Sequence, residues 1–202
     1  MPVFHQAGGV GIYRVLILPS EWPNLLCAHR AKDPGTQDLE AEARALVAGD
    51  FQLQASRGFV KHVCSWGGYD GVSGRVLKGN APDDIAAALR EAHRLCAEDK
   101  PVDGLRRIIT LKGLCVSFGS KHAKFLDPER SVVLDSIIST QFGYPLSAIR
   151  YPLTLCRYAE FLADCHALLD IVRAAGVPYP FLHEGTWRVS DIEMCLFQSV
   201  RP

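Results

Sequence analysis

The stretch Val116-Ser-Phe-Gly-Ser-Lys-His-Ala-Lys-Phe-Leu126, followed by Val132-Val-Leu-Asp-Ser-Ile-Ile138, decides how this chain reads. Residues 119–126 carry a short helical pattern after Gly119, and Asp127-Pro128 ends it. Residues 131–134 form a brief apolar, extended run. Asp135-Ser136 then opens another helix. Asp135 is a natural N-cap, because its short carboxylate can accept the free amides of a first turn. A lysine near the head of one helix is thus followed by a brief apolar run that leads into an aspartate at the head of the next.

Outward from this stretch the signal stays helical. Ile85, Leu89, Ala92 and Cys96 form one apolar face at steps of three and four, with Asn80 or Asp83 able to cap and Lys100-Pro101 beyond the end. Leu105, Ile108, Ile109 and Lys112 predict a second helix, stopped by Gly113. Residues 154–175 carry the longest pattern, with Leu155, Tyr158, Leu162, Cys165, Leu169 and Val172 on one face and Gly176-Val-Pro after it. A last helix is expected over 190–198, capped by Ser190 or Asp191. The N-terminal third is less regular. Residues 39–47 read as a helix, whereas 10–18 read as a strand or a buried helix segment, which periodicity does not decide. Trp66-Gly-Gly-Tyr-Asp-Gly-Val-Ser-Gly74 reads as a loop, since four glycines in nine residues let a backbone approach something closely. The fold class is mainly α. An N-terminal region over 1–80 is expected to pack on a helical domain over 81–202.

Length and composition bound the function classes. The chain has 202 residues, 48% hydrophobic and 22% charged, enough for a core without staples. A disordered chain, a collagen-like chain and a small disulfide scaffold are excluded. The seven cysteines are odd in number and scattered, without Cys-x-x-Cys, as in reduced thiols of a cytoplasmic protein. No metal site or cofactor is expected. The opening lacks the basic region of a secretory signal, and the apolar stretch 10–18 is too short to span a bilayer, so no membrane partner is expected. Formal charge is zero, but residues 57–130 carry 13 Lys and Arg against 9 Asp and Glu. Within 100–130 the balance is seven basic to three acidic. The segment is either a solvated helical face or a patch for an anionic partner such as a nucleic acid backbone.

Lys121 and Asp135 carry the chemistry. A lysine at a helix N-terminus faces partial positive charge, and that field favours the neutral, nucleophilic amine. Asp135 follows an apolar triplet, so its carboxylate is expected in a protected place. A lysine beside a carboxylate can attack an electrophilic sugar carbon and form an imine. The carboxylate can move protons or stabilise oxocarbenium charge.

Gly119, Lys121, Ala123, Asp135 and Ser136 make this stretch resemble the active-site region of helix-hairpin-helix DNA glycosylases. That superfamily includes endonuclease III and 8-oxoguanine DNA glycosylase. Ser120-Lys-x-x-x-Phe-Leu-x-Pro, the following Leu-Asp-Ser and Trp187-Arg-x-x-Asp-Ile-Glu-Met resemble bacterial proteins with an 8-oxoguanine-glycosylase-like fold more closely still. The resemblance implies that Lys121 is the Schiff-base nucleophile and Asp135 the catalytic carboxylate. It implies that backbone amides at Ser117, Phe118 and Gly119 hold a DNA phosphate. The iron–sulfur branch is excluded, because no four-cysteine cluster is present.

The expected function is therefore base excision in DNA repair or defence: a hydrolase that flips and excises a damaged or modified base, with possible lyase activity at the abasic site. Its partner would be duplex DNA and its state monomeric. DNA contacts are expected at Ser117, Phe118, Gly119, Ser120, Lys124, Lys112 and Arg75, with Lys78 and Asn80 nearby. Trp66 and Tyr69 are either a base-stacking wall or a core anchor of their loop. Phe118 is either a wedge or core. Asp191 and Glu193 read as a cap and an ion pair to Arg188, or as a second acid pair. His122 adjoins Lys121 but points about 100° away on a helix. The alternative is a catalytically inactive DNA- or protein-binding module on the same fold.

Overall fold

The computed structural model describes residues 3–6, 9–12, 15–146, 151–181 and 185–201, of which 4–6 and 151–153 are described by backbone only. Three short strands open the chain: β1 (Val3–Gln6), β2 (Gly9–Ile12) and β3 (Val15–Ile17). They form one antiparallel sheet in the order β1-β2-β3, with Val10 opposite Ile17 and Ile12 opposite Val15. This resolves the ambiguity of residues 10–18 in favour of strand. Val10/Ile12 and Val15/Ile17 place β-branched side chains at alternate positions, which suits a pleated surface.

Ten helices follow among the described residues. They are α1 (Glu21–Lys32), α2 (Gly35–Ala48), α3 (Leu53–Trp66), α4 (Gly71–Gly79), α5 (Pro82–Ala97), α6 (Pro101–Ile108), α7 (Val116–Leu126), α8 (Ser136–Phe142), α9 (Tyr151–Ala174) and α10 (Val189–Val200). The mainly helical architecture is as expected. Ile85, Leu89, Ala92 and Cys96 on α5 are all buried, as are the six periodic residues of α9. One hydrophobic core runs from Val10 to Leu196. The sheet packs on α9, and α1 packs on α10, joining the first and last helices.

The central helix is α7. Every residue from Gly119 to Leu126 is buried, and α2, α3, α5, α6 and α9 all pack against it. It begins at Val116 rather than at Gly119. The preceding helix stops at Ile108, and a β-turn from Leu111 to Leu114 (amide to carbonyl, 3.1 Å) reverses the chain. Gly113 holds φ +99° in that turn, the position that requires glycine in a type II turn. Gly119 therefore lies inside α7. A Cβ there would stand 2.5 Å from Ile109 Cγ2 and 3.0 Å from Leu105 Cδ1, so the missing side chain sets how closely α7 approaches α6.

The glycine-rich stretch 66–74 is also more ordered than a loop. Trp66 ends α3, Gly68 turns the chain at φ +82°, and α4 starts at Gly71. Burial of Val72 and Val76 overrides the poor helix propensity of Gly71 and Gly74.

Candidate active site

Lys121 and Asp135 meet. The Lys121 ammonium lies 3.3 Å from Asp135 Oδ2, and the two side chains are 6% and 17% exposed. Asp135 caps α8 as expected: its Oδ1 accepts the amides of Ile137 at 3.0 Å and Ile138 at 3.1 Å. One oxygen thus fixes the carboxylate while the other faces the amine. Ser120 sets the pair's spacing. Its buried Oγ accepts the Leu134 amide at 3.1 Å and donates to the Ser117 carbonyl at 3.1 Å. That clip lays the extended run 131–134 against α7 and delivers Asp135 to Lys121. Lys121 does not stand at the helix N-terminus as expected: it is the sixth residue of α7, beyond the first turn, where the dipole field is strongest.

The pair lines a pocket of about 210 Å³. An apolar cavity of roughly 150 Å³ takes up benzene, so this volume suits one base-sized ring. Trp66 forms part of the wall. Its indole Nε1 donates to Thr36 Oγ1 at 3.2 Å, and its ring meets Phe125 edge-on at 4.9 Å between centroids. Gly67 and Gly68 also line it, and the close approach expected of the glycine-rich stretch is found at Gly67 but not at Gly68, around which a Cβ would meet nothing within 4 Å. A Cβ on Gly67 would stand 2.9 Å from Phe118 Cε1 and 3.0 Å from Lys121 Cδ. Phe118 is half-buried, its ring centroid 5.5 Å from the Lys121 ammonium. Tyr69 does not line the pocket. It is 57% exposed and lies beneath the Arg75 guanidinium at 5.6 Å.

A buried charge network supports the pocket from behind. Lys124 is 1% exposed and contacts Glu40 Oε1 at 3.3 Å. Arg188 engages both oxygens of Glu40, at 3.0 and 3.2 Å, and both oxygens of Asp191. Burial alone would raise the Glu40 carboxyl, but Lys124 and Arg188 outweigh it and hold it down at about 2. Asp191 Oδ2 also accepts the Arg188 amide at 2.9 Å, so Asp191 is a cap and ion-pair residue. Glu193 differs: it lines the pocket, and burial pushes its carboxyl up to about 8 against the pull of Lys124, with Asp135 adding to the rise. His122 is buried against Phe59, bonds the Phe118 carbonyl at 2.7 Å, and is held neutral, its pKa down at about 4 through burial. It supplies no positive charge to Lys121.

The expected DNA contacts divide. Gly119 and Ser120 are buried packing and positioning residues, and Lys124 is enclosed, so none of the three can touch a phosphate at the surface. The basic excess of 100–130 is largely neutralised as well. Lys100, Arg106, Lys121, Lys124 and Arg130 are each ion-paired. A different set remains. Arg75, Lys78 and Lys112 are exposed and, among the described residues, have no carboxylate within ion-pair distance. Asn80 holds them together by accepting the Lys112 amide at 2.9 Å and donating to its carbonyl at 3.0 Å. This fastens the turn before α7 onto α4. Close by in sequence, the amides of Val116, Ser117 and Phe118 open α7, where no preceding turn supplies acceptors and Cys115 provides no side-chain cap.

The pocket also contains His29, Asp33, Met194, Phe197 and Arg201, which sequence reasoning did not bring to the site. They come from the C-terminal part of α1 and from α10 and its end, which pack on each other, while α10 also packs on α8. Among the described residues no helix is long and apolar enough to cross a membrane. The chain matches no protein-family model, no curated protein and no solved structure.

Proposed function

We propose that this protein is a DNA glycosylase of the helix-hairpin-helix type, which excises a damaged or modified base through Lys121 and can cleave the resulting abasic site. The observation that carries the reading is Lys121 Nζ at 3.3 Å from Asp135 Oδ2, both on the wall of a pocket sized for one base. Lys121 is almost wholly buried, so only a nucleotide extruded from its helix reaches it.

In this reading Asp135 Oδ2 takes a proton from the ammonium, and the neutral amine attacks C1′. The Nζ–C1′ bond forms as the glycosidic bond breaks, and the base leaves with the electron pair and gains a proton. Opening of the C1′–O4′ bond, with a proton moving to O4′, leaves an imine. Loss of a C2′ proton then expels the 3′ phosphate. Arg75, Lys78, Lys112 and the first amides of α7 hold the DNA backbone beside the pocket.

Base release from duplexes carrying single modified bases tests the proposal. Lys121→Ala and Asp135→Asn should lower the single-turnover rate at least a hundredfold, with duplex affinity within a fewfold of wild type. Undiminished release by Lys121→Ala refutes the lysine mechanism. Duplex binding without any base release favours the inactive binding module.

A further inference from the structure

Glu193 is the fifth residue of α10. Phe197, four residues on, shares its side of the helix, and both line the pocket that holds Lys121 and Asp135. Glu193 is 4% exposed, and neither of its carboxyl oxygens is among the polar atoms that packing seals off without a partner. The charged groups around that carboxyl are Lys121 and Lys124 from α7 and Asp135 at the head of α8. Cys165 faces it from α9 and Cys195 from α10 itself, and burial pushes both thiols well up, so they stay neutral. His29 and Asp33 from α1 and Arg201 line the same pocket; the His29 ring, its pKa down at about 4 through burial, adds no charge. Lys124 exerts the largest pull toward the ionised form, yet it already faces Glu40 at 3.3 Å. Burial, with Asp135 adding to it, outweighs both lysines and the Val133 backbone, and the carboxyl is pushed up to about 8, so that it carries its proton at neutral pH.

The other carboxyl of the pocket is fully engaged. Asp135 holds two backbone amides with one oxygen and the Lys121 ammonium with the other. The proton it takes from that ammonium is needed at O4′ when the sugar ring opens. The base still needs a proton of its own, because it leaves poorly as a bare anion. We propose that Glu193 is the general acid of the reaction, donating the proton of its carboxyl O–H to a ring nitrogen or carbonyl oxygen of the base as the glycosidic bond breaks. The inference rests on the glycosylase reading and assigns the source of the proton that the base gains. The Glu193 O–H bond breaks, an N–H or O–H bond forms on the base, and the electron pair of the glycosidic bond stays with the base. Water reprotonates the carboxylate once the base has gone. Two carboxyl groups in different environments thereby divide the work, one as proton donor to the leaving group and one beside the nucleophile.

The test compares two reactions of the full chain. One is single-turnover release of the base from duplexes holding uracil, hypoxanthine, 8-oxoguanine or 5-methylcytosine. The other is borohydride trapping on a duplex with a preformed abasic site, where no base has to leave. Glu193→Gln, which keeps the size and removes the proton, should slow release at least about a hundredfold and trapping no more than about threefold. Glu193→Asp keeps an acid and should recover part of the loss. In the wild type the ratio of release to trapping should fall roughly tenfold between about pH 7 and 9, since the lysine step is common to both reactions and cancels. Glu193→Gln should show no such fall. Equal losses in the two reactions make Glu193 a structural residue and overturn the proposal, as does a wild-type ratio indifferent to pH. Trapping without release of any of these bases also overturns it, while leaving the lysine chemistry intact. Neither trapping nor release overturns the glycosylase reading itself. Should Glu193→Gln fail to fold, the wild-type ratio against pH still decides.

Discussion

Gly67→Ala separates the site from the fold. Gly67 has φ −71° and ψ 0°, a conformation alanine adopts without strain, so the backbone accepts the change. The new methyl does not fit beside the site: it would lie 2.9 Å from Phe118 Cε1, and 3.0 and 3.1 Å from Lys121 Cδ and Cε. Ordinary carbon contacts are about 3.5–4.0 Å, so the neighbours must yield by roughly half an ångström or more. Both are outer parts of side chains and can move, so the stability loss should stay under about 1 kcal/mol, toward the mild end of overpacking. For a chain of this size that is a fall in Tm of no more than about 4 °C. Lys121, however, is displaced from a contact of 3.3 Å to Asp135. A misplacement of roughly 1 Å can cost about a hundredfold in rate, so a shift of half that size should slow base release at least about tenfold. Single-turnover base release and a thermal melt on the same preparation measure the two effects. A wild-type rate in Gly67→Ala, or a rate loss fully matched by unfolding, would refute the claim that this glycine positions the lysine.

Ser120→Ala removes the only acceptor seen for the Leu134 amide among the described residues. Leaving a buried amide unpaired costs about 1–3 kcal/mol, so Tm should fall by roughly 2–12 °C; a change within 1 °C contradicts the clip. Arg75→Ala and Lys112→Ala should each weaken duplex binding at all sequences and flatten the log–log salt dependence by about 0.9. A salt slope unchanged by either variant removes that cation from the interface. The Glu193 carboxyl is raised in the folded protein to about 8, so its contribution to stability is complete below its ordinary range near 4.5 and is lost as pH rises through about 8. The difference in Tm between wild type and Glu193→Gln should therefore shift against the wild type between pH 5 and 8. A difference independent of pH contradicts a buried, protonated Glu193. Glu40 works in the opposite sense: its carboxyl is held down at about 2, so its stabilisation is present above about 4.5 and is lost as pH falls toward 2. Glu40→Gln should lack that acid-side loss, and its persistence would contradict the ion pair.

What the sequence made legible was local. The face of α5, the face of α9 and the Asp135 cap each follow from spacing within one element, and the structure contains all three. The Lys121–Asp135 contact was legible because the connection between α7 and α8 is short and ends in an apolar run that leads straight into Asp135. The start of α7 was not, since Gly119 reads as a helix opener in isolation. Its actual role, to admit Ile109 and Leu105, depends on α6. Lys124 reads as a surface cation by type, yet its partner Glu40 lies 84 residues away on α2. The same holds for His29 and Phe197, which reach the pocket through the long-range packing of α1 and α8 on α10. Charge counting along the chain failed for a related reason. It ranks 100–130 as the basic segment, but five of its seven cations are spent on ion pairs, and the exposed cluster combines Lys112 with Arg75 and Lys78 from α4.

Covalent trapping tests the central claim most directly. The full-length protein is incubated with a duplex containing one natural abasic site in the presence of sodium borohydride, then digested and mapped by mass spectrometry. The account predicts a reduced adduct on the peptide that contains Lys121, absent in Lys121→Ala and formed more slowly in Asp135→Asn. An adduct on another amine, or none on a protein that still releases a base, would contradict it.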